Sequence, residues 1–139
     1  MSSLSSDPQL LKDAATSNPY TSLAQELLKR LLHKSEPVEF HSEEQRLMVE
    51  YALSGQNNFV CILPTGGGKS LVYQIPALAQ PSQINLVVVS NKALMVDSLR
   101  KTKNLGIPCC KWTSRSQDIG DASVVFLAME SISSMGFRE

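Results

Sequence analysis

Cysteine, aromatic residues and net charge are all scarce in this 139-residue chain, and each scarcity excludes something. There are three cysteines, two of them adjacent at Cys109 and Cys110. An odd count without a Cys-x-x-Cys spacing excludes a disulfide framework. It also argues against a zinc site, because His33 and His41 add no ligand-like spacing. The thiols read as idle or buried ones in a reduced intracellular protein. Thirteen basic residues balance thirteen acidic ones, so the formal net charge is zero. That excludes a protein that binds nucleic acid by bulk charge alone, and leaves local basic patches open. No apolar run approaches the roughly 18–20 residues that a membrane-spanning helix requires. Met1 to Asp7 has neither the basic start nor the apolar core of a secretory signal.

What is present is globular. Hydrophobic residues at 42% and charged residues at 19% exclude a wholly disordered chain. Residues 1–20, rich in Ser, Asp, Asn and Pro, read as a flexible lead-in. Residues 21–57 read as a helical segment. Within it, Leu23, Leu27 and Leu31 recur every four residues beside a parallel row of Ala24, Leu28 and Leu32. Two such rows make one apolar stripe on a helix from Ser22 to about Lys34, with Ser22 and Gln25 spaced to cap its start. Glu36-Pro37 interrupts it. A second helix follows near Ser42–Leu53, with Ser42 and Gln45 at capping-box spacing, and an apolar face of Leu47, Met48, Tyr51 and Ala52.

Residues 58–139 alternate strand-like and helix-like stretches. Phe59–Leu63 is a short unbroken apolar run, expected to be a strand buried on both faces. A glycine-rich turn then leads into a helix near Lys69, with Leu71, Ile75 and Leu78 on its buried side and Pro76 kinking or ending it. Ile84–Ser90 is a second buried strand, and Lys92 to about Asn104 a helix stopped by Gly106. Ile107–Trp112 is a weaker strand candidate and Ala122–Ala128 a stronger one. Strand–helix alternation predicts βαβ units: an α/β fold with a parallel sheet and helices on both faces.

The chemistry is concentrated in Leu63-Pro64-Thr65-Gly66-Gly67-Gly68-Lys69-Ser70. Its second half fits the phosphate-binding loop that ends in Gly-Lys-Ser/Thr, although the general pattern opens on glycine and this chain has Leu63. Glycines let the backbone turn tightly and bring successive N–H groups to phosphate oxygens. The following helix adds unpaired N–H groups and the positive end of its dipole. Thr65, Gly66, Gly67, Gly68, Lys69 and Ser70 are therefore the candidate nucleotide-binding residues. Lys69 reaches the β- and γ-phosphates and is the candidate catalytic residue, and the Ser70 hydroxyl is the candidate Mg²⁺ ligand.

PTGGGKS followed by LVYQIPAL resembles motif I of superfamily 2 helicases, and most closely that of the RecQ-like DNA helicases. Val87–Leu99 (VVVSNKALMVDSL) is similar to their motif Ia, Leu105–Pro108 has a counterpart there, and Ala128-Met129-Glu130 more weakly resembles motif Ib. The resemblance covers roughly Phe40–Glu130. It implies a P-loop, RecA-like fold preceded by N-terminal helices. It also implies ATP and Mg²⁺ as cofactors, and ATP-driven 3′–5′ translocation on DNA, in single-stranded form. By the same likeness Gln45 reads adenine, and Ser90, Asn91 and Lys92 touch the nucleic-acid backbone with Arg100, Lys101 and Lys103 nearby. Such contacts are salt-sensitive and do not read sequence. Nuclear residence follows only from the likeness.

The departures from that family are specific. Its Phe-Arg-x-x-Gln element stands here as Phe40-His41-Ser42-Glu43-Glu44-Gln45, one residue longer and without the arginine, so Gln45 serves equally well as the cap partner of Ser42. Asn91 replaces the family's proline in motif Ia. No Asp-Glu-x-His or Asp-Glu-x-Asp box is present, and neither is the second motor domain with its arginine finger. The chain is thus expected to be the N-terminal part of a first motor domain, with its sheet incomplete. The alternative is a truncated or degenerate P-loop module that binds nucleotide or DNA without turnover. A small-molecule kinase is a third reading, and it leaves LVYQIPAL unexplained. Trp112 could stack on a base, although packing accounts equally for it and for Tyr73.

Overall fold

In the computed structural model the described residues are 2–3, 19–55, 58–64, 68–113, 115 and 118–132. The chain divides into two compact units, residues 1–79 and 80–139.

The first unit is built on three helices, α1 (Thr21–Leu31), α2 (Glu43–Leu53) and α3 (Leu71–Ala79), packed against one another. The apolar stripe of α1 is narrower than two full rows. Ala24, Leu27, Leu28 and Leu31 are buried, whereas Leu23 and Leu32 are each 44% exposed. These four positions lie three or four residues apart in pairs, which keeps their side chains on one helix face, and Leu23 and Leu32 fall outside that arc. Ser22 does not cap the helix: the N-cap is Tyr20, whose side chain makes no capping bond, and Ser22 lies inside the first turn. Nor does Glu36-Pro37 set its end. His33 takes a left-handed conformation (φ 53°), and its N–H and that of Lys34 donate to the carbonyls of Arg30 and Lys29. This is a Schellman closure with histidine in the place glycine usually fills.

Helix α2 starts as its sequence predicts. Ser42 is the N-cap, and its hydroxyl accepts the Gln45 N–H at 3.1 Å. Its buried side is Gln45 to Glu50, a run that includes three polar residues, while Tyr51 and Ala52 are only half-buried. Helix α3 continues three residues beyond Pro76. Proline in that position removes only the bond that its own nitrogen would have donated to Val72, and the flanking turns hold. The strand expected over Phe59–Leu63 is shorter and less covered. β2 is Phe59–Val60, paired in parallel with β1 (Ser2–Ser3), and Ile62 is 87% exposed. An apolar run signals a strand but not how many faces will find cover. Most of the stretch read as a lead-in lies outside the described residues.

The second unit is a parallel sheet of β3 (Asn85–Val89), β5 (Val124–Ala128) and β4 (Cys109–Lys111), in the order β3-β5-β4. The register runs from Asn85 opposite Val124 to Val89 opposite Ala128. Central β5 is buried along its whole length. Helix α4 (Lys92–Asn104) crosses over from β3 and packs on the sheet, burying Met95 and Thr102. Its end at Gly106 (φ 82°) is as expected. A one-turn helix, α5 (Met129–Ile132), follows β5. The side chains of Asn85 and Ser123 tie the sheet's start together: Asn85 Nδ2 donates to the Ser123 carbonyl at 3.2 Å, and Ser123 Oγ to the Pro81 carbonyl at 2.8 Å. β3 departs from expectation. Leu86 and Val88 are exposed, because β3 stands at the edge of this sheet and alternation turns every second side chain away from its covered face. The α/β class and the parallel sheet agree with the sequence reading.

Candidate functional site

The phosphate-loop sequence leads directly into α3. Thr65, Gly66 and Gly67 lie outside the described residues; Gly68, Lys69 and Ser70 are described. Gly68 has φ 75°, the left-handed region that suits glycine. From there the chain winds straight into the helix. The N–H groups of Leu71, Val72 and Tyr73 donate to the carbonyls of Gly68, Lys69 and Ser70 at 3.2–3.3 Å. Lys69 is exposed and Ser70 half-buried, and the first turn of α3 carries no acidic residue. A positive dipole end, a lysine in solvent and a first helical turn without acidic residues together suit an anion.

Gln45 closes this loop from the side. It is only 2% exposed. Its Oε1 accepts the His41 N–H at 2.8 Å, and its Nε2 donates to the Gly68 carbonyl at 3.3 Å. A capping box would have returned the glutamine to the N-cap residue itself; here it reaches one residue further back. The fit to Gly68 is close enough that a Cβ there would stand 1.9 Å from Gln45 Nε2. Glycine is thus required at 68 twice over, by its backbone angle and by its neighbour.

Beside Gln45, α2 buries a cluster of charge. Arg46 Nη1 meets Glu50 Oε1 at 2.6 Å, and its Nη2 pairs with Glu43. Glu50 is fully buried, and its second oxygen has no hydrogen-bond partner. Burial alone would lower the pKa of Arg46, but the two carboxylates outweigh it and hold the guanidinium above its ordinary value. Cys61, Cys109 and Cys110 are free thiols, each pushed upward chiefly by burial, so they stay protonated and weakly nucleophilic.

The residues proposed for the nucleic-acid backbone sit where β3 hands over to α4. Ser90, Asn91 and Lys92 are all exposed. Asn91 is the N-cap of α4, and its Oδ1 accepts the Leu94 N–H at 2.8 Å. The Lys92 N–H donates to Glu130 Oε1 at 3.1 Å, which brings the motif Ia-like and motif Ib-like segments together. Of the cations further along, Arg100 and Lys101 both pair with Asp97, at 2.5 and 3.1 Å, and together hold its carboxyl below the usual range. Lys103 is exposed, and Trp112 is half-buried at the end of β4, where its N–H donates to the Phe126 carbonyl.

The sequence that builds these elements matches a known family. The model of the DEAD/DEAH box helicases matches residues 42–131, from the cap of α2 into α5. The chain belongs to the DEAD/DEAH box helicase family. Within that family its likeness is to the RecQ-like helicases. It is 31% identical to the RecQ-like DNA helicase BLM of Xenopus laevis over 97 residues, covering 70% of this chain and 7% of that protein. It is 36% identical to the ATP-dependent DNA helicase hus2/rqh1 of Schizosaccharomyces pombe over 101 residues, again 70% and 7%. The ATP-dependent DNA helicase Q1 of Mus musculus is 50% identical over 46 residues, a third of the chain (33%) and 7% of that protein. The chain thus spans less than a tenth of the length of these relatives. As a helicase-family domain it is a partial RecA-like unit: a parallel sheet with helices, entered through helices on its N-terminal side.

Two features of this helicase domain were not legible in its sequence. One is the Gln45–Gly68 contact, which joins residues far apart in the chain. The other is Glu130 at the start of α4. The Glu43–Arg46–Glu50 cluster did carry a signal, because its three- and four-residue spacings place the groups on one helix face.

Proposed function

We propose that the chain binds Mg²⁺-ATP through residues Thr65–Ser70 as part of a helicase that couples ATP hydrolysis to 3′–5′ translocation on single-stranded DNA. The observation that carries this reading is the exposed Lys69, placed directly after left-handed Gly68 at the start of an acid-free helix. The described residues fit the cofactor: backbone N–H groups and Lys69 meet phosphate charge, and the Ser70 hydroxyl offers a hard oxygen to Mg²⁺. Bound Mg²⁺ would neutralise charge on the phosphates. The protein's part is to hold and orient them. Ser90, Asn91 and Lys92 are the residues we assign to the DNA backbone. A DNA motor also implies an intracellular, nuclear place of work.

A second reading is nucleotide or DNA binding without turnover. The Lys69→Ala variant tests what the two readings share. Removing one charge-assisted contact to phosphate should weaken Mg²⁺-ATP binding by roughly thirtyfold to a hundredfold in calorimetric titration. Unchanged affinity would sink both. Steady-state hydrolysis separates them in a longer protein that carries this segment together with an Asp-Glu-x-His box: turnover that vanishes in Lys69→Ala supports the motor reading, and nucleotide binding with none supports the module.

A further inference from the structure

The site assigned to the DNA backbone already contains an acid. Ser90, Asn91 and Lys92 stand at the carboxyl end of β3, and Glu130 stands at the same end of neighbouring β5. The parallel register brings them level: Val89 lies opposite Ala128, and Asn91 and Glu130 each follow two residues later. Glu130 Oε1 accepts the Lys92 N–H at 3.1 Å, while Asn91 Oδ1 takes the Leu94 N–H. Two of the backbone amides that open α4 are therefore held by side chains of the protein itself.

Glu130 and Lys92 are both exposed. The carboxylate meets the backbone of Lys92, and among the described residues the Lys92 ammonium forms no ion pair. The charge of Glu130 is thus not cancelled by the cation beside it. For the fold this arrangement is favourable, because an anion at a helix N-terminus stabilises the helix. For a chain of phosphates it is unfavourable, because a fixed negative charge stands among the residues they must reach.

We propose that Glu130 is a built-in brake on backbone binding: it holds the start of α4 and repels the phosphates that Ser90, Asn91 and Lys92 meet. This role rests on the reading that gives those three residues to DNA, and it adds what limits their affinity. The chemistry recognised is the charge of a phosphodiester chain and not its bases. A motor contact must be released as often as it is made, and a fixed repulsion shortens each residence.

The test uses the full 139-residue chain and a fluorescently labelled, single-stranded deoxythymidine oligonucleotide, read by anisotropy. Glu130→Gln removes the charge and keeps an oxygen that accepts the Lys92 N–H. It should tighten binding about fivefold at about 50 mM salt, and the gain should shrink at about 200 mM as the repulsion is screened. Glu130→Ala removes the charge and the amide contact together, and it too should tighten binding. A role confined to holding α4 gives the opposite pattern: Ala weakens binding, and Gln restores the wild-type affinity at both salt concentrations. That result would overturn the proposal, as would a gain in Glu130→Gln that ignores salt. Lys92→Ala probes the underlying DNA reading separately. If Lys92→Ala weakens binding and Glu130→Gln does not strengthen it, the brake alone is lost. If neither substitution changes binding, or if no form of the chain binds the oligonucleotide, the backbone site and the brake fall together.

Discussion

Helices α2 and α4 are written in nearly the same way and behave differently. Each opens on a polar N-cap whose side chain accepts an N–H three residues on, Ser42 from Gln45 and Asn91 from Leu94. Each then carries three charges at spacings of three and four: Glu43, Arg46 and Glu50 on α2, and Asp97, Arg100 and Lys101 on α4. On α2 the central cation and one of its carboxylates are buried, so the pair is held by a low-dielectric surrounding. On α4 all three groups are largely in water, where salt and side-chain entropy erode the attraction. The same local pattern is thus a structural commitment in one helix and a solvated surface in the other. What decides is what packs on top: α1 and α3 lie against α2, whereas the charged side of α4 faces outward.

The largest predicted difference between the helices lies in those charges. Glu50→Ala leaves Arg46 buried with only the partly exposed Glu43, and should cost about 3 kcal/mol in urea unfolding, at the low end for a broken buried pair. A cost under about 1 kcal/mol would show that the cluster is as well hydrated as the surface one, and the contrast would dissolve. The caps come next. Ser42→Ala should cost about 1 kcal/mol and Asn91→Ala about half of that, within the range for N-cap loss. The reason for the inequality is Glu130, whose carboxylate stays on the Lys92 N–H at the start of α4 when Asn91 is cut back. Equal costs would mean that Glu130 contributes nothing there. Asp97→Ala is the smallest: the unfolding midpoint should not move measurably, and a clear drop would place α4 with α2 after all.

The boundaries of both helices could be read from the sequence because caps and stop signals act within a few residues. Asn91, Gly106 and Ser42 each do their work locally. The strand β5 was equally plain, its apolar run being buried throughout. What could not be read was cover. Ile62, Leu86 and Val88 sit in runs as apolar as β5, yet they are exposed, since hydrophobicity marks a strand and only tertiary packing selects which of its faces is hidden. The same holds for the sites. Gly68, Lys69 and Ser70 stood out because backbone geometry and charge are local properties. The engagement of Gln45 with Gly68, and of Glu130 with Lys92, crosses 23 and 38 residues respectively and left no periodic trace. Histidine at the left-handed end of α1 carries no local signal, because that position is usually marked by glycine.

The fit between Gln45 and Gly68 also bears on how this sequence can change. With Gln45 in place, even a methyl group at 68 collides with the amide nitrogen, so a substitution there is blocked sterically as well as by the backbone angle. Shortening residue 45 first would remove one of those two obstacles. The order of steps therefore matters, and the effect of Gly68→Ala measured alone should exceed its effect in a Gln45→Ala background, a coupling expected between side chains in direct contact. Along any mutational path the two positions are linked: the loop can drift only after the helix beside it has yielded.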